Sequence, residues 1–166
     1  MIRRAVVTDA SRIAEILVFT KRMNYRRIFR NDKVSFGEIQ VYPLAKEYIE
    51  KPEKLEHIWV YEDDFVKGMI HIEGTGIEEL YVDTFFENQG IGGRLITFAI
   101  EKYDCDHLWV LEKNDDARRF YEKYGFAVTG FKHFEEGTTE YIVEMKRARS
   151  EGLLSQVLQS VYPGNS

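Results

Sequence analysis

The period of the apolar positions changes several times along the chain, and each change predicts a border between elements. Ile2 to Val7 is an apolar run typical of a strand, and Thr8-Asp9 then caps a first helix. A second helix is predicted from about Val41 to Glu50, because Lys51-Pro52 ends it. The segment Met23 to Gln40 between them is aromatic and basic, and it predicts irregular structure.

The middle of the chain reads as a run of strands joined by polar turns. His57 to Tyr61, Phe65 to Glu73 and Ile77 to Val82 are rich in β-branched and aromatic residues. Glu62-Asp63-Asp64 and Gly74-Thr75-Gly76 supply the turns between them. Short turns predict an antiparallel meander.

The following segment changes to a helical period. The apolar residues of a helix beginning near Ile91 recur on one face, and His107 to Leu111 then reads as a buried strand. A strand that returns through a helix pairs in parallel, so this strand is predicted to run parallel to the one ending at Val82.

The rest of the chain predicts a further helix, a strand pair and a tail. The helix spans about Asp115 to Tyr124, with Asn114 as N-cap and Gly125 as its stop. Two strands follow, at Phe126 to Phe131 and Thr139 to Lys146. The tail, residues 148–166, carries apolar residues at helical spacing, and we expect it to pack on the domain or on a second copy in a homodimer.

Composition narrows the function classes. The 166 residues are 44% hydrophobic, which suits one domain with its own core, and the net charge of −5 argues against a nucleic-acid coat. The basic cluster from Lys21 to Lys33 is therefore interpreted first as a solvated helix face. An anion- or substrate-binding flap and a nucleic-acid contact are the alternatives, and we expect no nucleic-acid partner.

The number of cysteines, the spacing of the histidines and the hydropathy of the chain argue against disulfide-bonded, metal-binding and membrane proteins. Cys105 is the single cysteine, so no internal disulfide can form and a reducing compartment is expected. The four histidines lack ligand spacing, which predicts no metal. No apolar run reaches transmembrane length and no signal-peptide core is visible, so the sequence predicts a cytoplasmic protein with no membrane partner.

Candidate chemistry begins in the loop before the third predicted helix. Gly90 and Gly92 let the backbone approach a ligand closely, and the helix N-terminus directs free amides and a partial positive charge toward it. Such a loop is typical of a phosphate or pyrophosphate site.

Two motifs in order resemble those of the GNAT superfamily of acyl-CoA-dependent N-acetyltransferases. The first is Leu80-Tyr81-Val82 followed by Gln89-Gly90-Ile91-Gly92, and the second is N-x-x-A-x-x-F-Y-x-x-x-G-F from Asn114 to Phe126. The resemblance covers residues 1–147 and implies an α+β fold of three layers, α/β/α. Its central sheet is mixed and mostly antiparallel, with a splayed pair of parallel strands.

The resemblance also implies an activity. The chain is expected to move an acetyl group from acetyl-CoA to a primary amine of a small molecule, peptide or protein, by direct attack in a ternary complex. The alternative is a non-catalytic module that binds acyl-CoA as a sensor or regulator. Turnover with a panel of amines separates these hypotheses.

The resemblance assigns cofactor contacts residue by residue. The pantetheine arm is expected along the end of the strand before the loop, and the pyrophosphate on the loop amides. Asn114, Ala117 and Tyr121 of the second motif complete the site. The expected cofactor contacts are Tyr81, Val82, Asp83, Asn88, Gln89, Gly90, Ile91, Gly92, Gly93, Arg94, Asn114, Ala117 and Tyr121. Glu87 departs from the family pattern, since a carboxylate there disfavours a pyrophosphate, and its side chain is expected to point to solvent.

Three catalytic roles follow from the chemistry of thioester aminolysis. Tyr121 is expected to protonate the leaving thiolate as general acid, and the N–H of Val82 to polarise the carbonyl. Strand alternation sends Glu78 and Glu79 to opposite faces. We choose Glu79 as the base because it shares the face of Tyr81, with Glu78 or water as alternatives.

The segment Met23 to Gln40, which follows the first predicted helix, is expected to bind the acceptor. Tyr25 and Phe29 are candidates to line the pocket, with Arg30 or a neighbouring arginine binding a carboxylate or phosphate of the acceptor. Alternatively, Glu135 and Glu136 attract a cationic amine. These two ideas imply different acceptors, and the sequence does not choose between them.

Overall fold

The computed structural model describes residues 1–30, 32–33, 36–37 and 39–149. Within them one sheet carries seven strands in the order β1-β2-β3-β4-β5-β7-β6. The strands are β1 (Ile2–Arg4), β2 (Ile58–Asp63), β3 (Phe65–Glu73), β4 (Gly76–Val82), β5 (His107–Leu111), β6 (Ala127–Phe134) and β7 (Tyr141–Lys146). The helices are α1 (Ala10–Phe29), α2 (Val41–Glu50), α3 (Ile91–Tyr103) and α4 (Asp115–Glu122), with short 3-10 turns at Val7–Asp9, Pro52–Leu55 and Thr84–Phe86.

The sheet separates two hydrophobic cores, as a three-layer fold requires. On one face, Ile13 and Ile16 of α1 pack with Val60 and Met69 of the strands. On the other face, α3 and α4 pack on the strands, with Leu95 fully buried. The predicted α/β/α arrangement is therefore confirmed.

The central pair of strands splays apart. β4 and β5 run parallel but pair at only two positions, Gly76 with His107 and Ile77 with Leu108. Glu78 has no partner on β3, since Glu79 pairs with His71 while Ile77 pairs with Ile72. This bulge bends β4 away from β5 at the point where their pairing stops. The predicted splayed parallel pair is thus present, and an open slot lies between the strand ends.

Local signals located most borders to within two residues, with three exceptions. The strand β1 ends at Arg4, three residues short of its predicted end at Val7. The prediction of irregular structure from Met23 was wrong for residues 23–29, because α1 continues to Phe29 and ends at Arg30, whose φ is 50°. β6 also extends to Phe134, three residues beyond its predicted end. The predicted helical tail, residues 148–166, lies outside the described residues from position 150 onward.

The start of α4 gives a first testable prediction. Asn114 caps it, because its Oδ1 accepts a hydrogen bond from the N–H of Ala117 at 3.2 Å. Asn114→Ala is expected to lower the free energy of unfolding by about 1 kcal/mol, measured by urea denaturation. Asn114→Ser retains a capping oxygen and should remain near the wild-type midpoint. Equal midpoints for the alanine variant and the wild type would show that the cap adds nothing to stability.

Candidate active site

The free edge of β4 borders the slot. The N–H of Asp83 donates to the carbonyl of Lys67 at 2.9 Å, so the backbone of Asp83 faces β3. Because antiparallel pairing alternates, Tyr81 opposite Met69 also directs its backbone groups to β3. The backbone groups of Val82 consequently face the slot.

This register changes the predicted backbone contacts. Tyr81 and Asp83 were expected to pair with the pantetheine arm through their main chain, but the ladder with β3 occupies the groups of both residues. The backbone groups of Leu80 and Val82 face away from β3, toward the slot. The sequence motif located this strand end but carries no information on which alternate residues face outward.

A groove of about 960 Å³ extends from the slot across the N-terminus of α3. The first amide bonded within the helix is that of Arg94, which donates to Gly90 at 3.1 Å. The amides of Ile91, Gly92 and Gly93 therefore have no partner inside the helix. Gly90 has a φ of 78°, which turns the chain into the helix with little strain.

Side chains around this groove carry mixed charge. Arg94 and Lys123 border it together with Glu87 and Glu101. Glu87 is exposed, as predicted, yet it also borders the neighbouring cavity. Burial and the nearby Asp83 raise the pKa of Glu87 above its ordinary value, which lessens its charge at mildly acid pH.

The predicted loop residues divide into two groups. Gly90, Ile91, Gly92, Arg94 and Asn88 all line the groove. Gly93 lines it too, but a Cβ there would lie 2.5 Å from the hydroxyl of Tyr124, so this glycine also allows close packing. Gln89 is exposed and is not among the residues that line the groove.

A second cavity, of about 570 Å³, lies beyond the slot between α1, β4 and β5. Aromatic residues form part of its lining, among them Tyr25, Tyr81, Trp109 and Tyr121. Tyr121 is buried within the core and packs on Phe126. Burial raises the pKa of Tyr121, which keeps its hydroxyl protonated throughout the physiological range.

Glu79 contributes negative charge to this cavity. Its Oε1 lies 3.3 Å from Lys21 Nζ, and its Oε2 lies 3.8 Å from His71 Nδ1. Burial raises the pKa of Glu79, but the interactions with His71 and Lys21 outweigh this effect and set the pKa below its ordinary value. Glu79 is therefore a carboxylate at neutral pH.

The bulge in β4 changes the expected orientation of the two glutamates. Alternation predicts Glu78 and Glu79 on opposite faces. In the structure, both residues border the cavity of about 570 Å³ and also a further cavity of about 530 Å³ under α2. Glu78 is the extra residue of the bulge, and the strict alternation of strand side chains is lost there.

Of the three residues expected to bind the acceptor, the structure brings one into the cavity. Tyr25 borders it, and Phe29 packs edge-on against the ring of Tyr25 at 4.8 Å. Arg30 is exposed at the end of α1 and lines neither cavity. Glu135 borders the cavity, but Glu136 does not.

Sequence reasoning missed a polar face of α1. Thr20 and Asn24 border both cavities, and Lys21 borders the smaller one. The Oγ1 of Thr20 is buried and has no hydrogen-bond partner among the described residues. The spacing of Thr20 and Asn24, four residues apart, was the available signal, because such residues share a helix face.

The comparisons with known proteins agree with this architecture. The family model for the acetyltransferase (GNAT) domain matches residues 54–128. A probable N-acetyltransferase of Mycobacterium tuberculosis is 38% identical over 68 residues, which are 40% of this chain and 39% of that protein. The chain thus matches well under half of that relative's length.

Solved structures share the fold across most of the chain. The apo form of YjaB from Escherichia coli has a TM-score of 0.70 at 21% identity and covers 90% of this chain and 98% of its own. PaiA N-acetyltransferase from Thermoplasma acidophilum, in complex with coenzyme A, has a TM-score of 0.60 at 20% identity, covering 88% and 98%. The resemblance inferred from the two motifs is confirmed. None of the described helices has the length and apolar character to cross a membrane.

Proposed function

We propose, from the match of residues 54–128 to the acetyltransferase (GNAT) domain and the shared fold, that this chain transfers the acetyl group of acetyl-CoA directly to a primary amine. The thioester supplies an electrophilic carbonyl carbon, and the protein has to hold the amine against it, stabilise the oxyanion and protonate the thiolate. A cytoplasmic location and a homodimer remain predictions.

One observation carries the proposal: the two cavities meet at the free edge of β4. Leu80, Val82 and Asn114 border both of them. A donor bound along the groove therefore reaches the acceptor cavity at the place where the N–H of Val82 is available. This is the geometry that attack within a ternary complex requires, since both substrates need to be bound together.

The groove suits the donor by its polar groups. The free amides at the N-terminus of α3 supply anion-binding donors for a pyrophosphate, and Arg94 adds positive charge. The free backbone groups of Leu80 and Val82 match the amide groups of a pantetheine arm, as an added strand would. The buried Oγ1 of Thr20 offers a further hydrogen bond at the junction of the cavities.

Tyr121 and Val82 supply the two chemical roles at this junction. As the amine nitrogen forms its bond to the carbonyl carbon, the N–H of Val82 donates to the developing oxyanion. When the carbon–sulfur bond breaks, the electron pair leaves with sulfur, and the hydroxyl of Tyr121 gives its proton to the thiolate. Burial keeps that proton on Tyr121 until the thiolate forms. The attacking nitrogen then loses one of its two remaining protons to give the neutral amide, and that proton restores the hydroxyl of Tyr121.

The charge of the smaller cavity favours a cationic acceptor. Four glutamates, at positions 78, 79, 87 and 135, border it, against the single ammonium of Lys21. Arg30 is outside it, and Arg27 borders the donor groove, 3.6 Å from Asp116. Of the two acceptor classes left open by the sequence, an amine with further positive charge therefore fits better than an amine with a carboxylate.

An amine screen tests this function. With acetyl-CoA and a panel of primary amines, release of free coenzyme A thiol is expected to be fastest for diamines and other polycations and slowest for amino acids. Glu135→Gln should raise the KM of a diamine several-fold, while Glu136→Gln, outside the cavity, should not. Equal rates for acidic and cationic amines would contradict the acceptor class. Tight acetyl-CoA binding with no thiol release on any amine would favour the sensor, for which Glu87 beside the groove is the supporting observation.

A further inference from the structure

Four titratable side chains form a line from the acceptor cavity to the protein surface. His71 Nδ1 lies 3.8 Å from Glu79 Oε2, and His71 Nε2 lies 2.9 Å from Glu73 Oε1. The second oxygen of Glu73, Oε2, lies 3.1 Å from Nδ1 of His57. Glu79 borders the acceptor cavity at one end, while Glu73 and His57 are each half exposed at the other.

We infer that His71 accepts, through Glu79, the proton that the acceptor ammonium loses, and that Glu73 and His57 deliver this proton to solvent. The inference rests on the proposed function, since it supplies the missing base of that reaction. It adds His71, Glu73 and His57 to the residues that act in it.

The transfers balance over one turnover. The ammonium N–H bond breaks and a proton binds to the carboxylate of Glu79, which leaves a neutral amine with its lone pair. Glu79 returns that proton to Nδ1 of His71 as Nε2 releases one to Glu73. Glu73 then protonates Nδ1 of His57, and Nε2 of His57 donates a proton to water. Every group recovers its initial charge, and one proton reaches solvent. Exchange of the ring protons with water then restores the starting tautomers of His71 and His57.

The environment makes His71 the stronger proton acceptor of the pair. Contact with Glu79 raises the pKa of His71, and Glu73 adds to this against the opposing effect of burial. The pKa of Glu79 is lowered instead, so Glu79 holds a proton only briefly. The gap of 3.8 Å is an ion-pair contact, and the proposed transfer requires it to shorten to hydrogen-bond length.

The charged groups packed around Glu79 and His71 are mostly carboxylates, with Lys21 and Lys54 as the cations among them. The cavity under α2 beside His71 contains one lysine and a majority of carboxylates, and Lys21 of α1 contacts Glu79 from the opposite side. A negative surrounding stabilises a proton in transit. The titratable and charged residues of that cavity are Glu47, Tyr48, Glu53, Lys54, His57, His71, Glu73, Glu78 and Glu79.

The test uses His71→Gln, with His107→Gln as a matched control. His107 bonds Asp106 at 2.7 Å and borders neither cavity of the proposed site. At pH 7, kcat/KM of His71→Gln with a primary amine is expected to fall about tenfold to a hundredfold. Toward pH 10 the deficit should shrink to about threefold, because about a quarter of an alkyl amine with a pKa near 10.4 is then already neutral, against less than about one part in a thousand at pH 7. Added imidazole should restore part of the activity at pH 7.

Three outcomes overturn the inference. Unchanged activity at pH 7 would mean that water alone removes the proton. An equal deficit at every pH without imidazole rescue would mean that His71 only positions Glu79. A wild-type protein that releases no thiol with any amine would remove the proposed function itself.

A measurement on the free protein distinguishes a failure of the proton relay from a failure of the proposed acetyltransferase function. Nuclear magnetic resonance follows the titration of the His71 ring, and Glu73→Gln and Glu79→Gln should each lower its pKa, with His107 unaffected. This coupling is expected whether or not an amine turns over. Its absence would remove the relay while leaving the acetyltransferase proposal intact.

Discussion

Tyr121→Phe is expected to lower turnover about a hundredfold to a thousandfold while acetyl-CoA binding remains at wild-type strength. The substitution removes only the hydroxyl that protonates the leaving thiolate. The ring keeps its place in the core, where it packs on Phe120 and Phe126. Steady-state release of thiol gives the turnover, and titration calorimetry with acetyl-CoA gives the affinity.

The pH profile sharpens this test. The pKa of Tyr121 is raised by burial, so the hydroxyl stays protonated well above pH 9. Wild-type turnover should consequently not decline between pH 8 and 9.5 through loss of this acid, and the deficit of Tyr121→Phe should persist across that range. Tyr103→Phe is the control, because Tyr103 packs against Trp59 and lines neither cavity. Wild-type turnover in Tyr121→Phe would remove Tyr121 from the acid role.

The sequence predicted the elements whose signals are local. Asn114 marks the start of α4 through side-chain capping, and Gly125, with a φ of 88°, lies in the turn that follows the last helical residue, Glu122. The helix therefore ends two residues before its predicted end at Tyr124. The crossover from β4 to β5 through α3 required parallel pairing, so the parallel pair followed from chain order, whereas its splay was implied by the family resemblance. The resemblance placed the donor groove and Tyr121 on these elements.

What the sequence could not predict depends on pairing between distant segments. The bulge at Glu78 exists only in the register with β3, and it places Glu78 and Glu79 beside the same cavities. Likewise, the proposed role of His71 in proton transfer depends on its contacts with Glu73 and Glu79. The pairing of β3 with β4 brings Glu79 beside it, whereas in the sequence His71 is a lone histidine. Arg30 lies outside the proposed site because α1 continues to Phe29. The apolar residues in the last turns of this helix recur only weakly at helical spacing, so the sequence did not predict the continuation.

Gly92→Glu is expected to abolish acetyl-CoA binding in the concentration range where the wild type saturates. Gly92 borders the donor groove at the N-terminus of α3, so a carboxylate there would occupy the place proposed for the pyrophosphate. Two unit charges 4 Å apart interact by about 4 kcal/mol at an effective dielectric constant of 20, which corresponds to a loss of affinity of roughly a thousandfold. Titration calorimetry measures this loss directly.

Gly92→Ala separates the charge from the bulk of the new side chain. A Cβ at position 92 would lie 3.4 Å from two ring carbons of Phe120 and 3.7 Å from Val82, which is ordinary packing distance. The alanine variant should therefore bind acetyl-CoA within a few-fold of the wild type and fold as stably. If Gly92→Glu also kept wild-type affinity, the pyrophosphate would have to bind elsewhere than on the α3 amides. If both variants lost affinity equally, the close approach of backbone and ligand, rather than repulsion between charges, would govern the site.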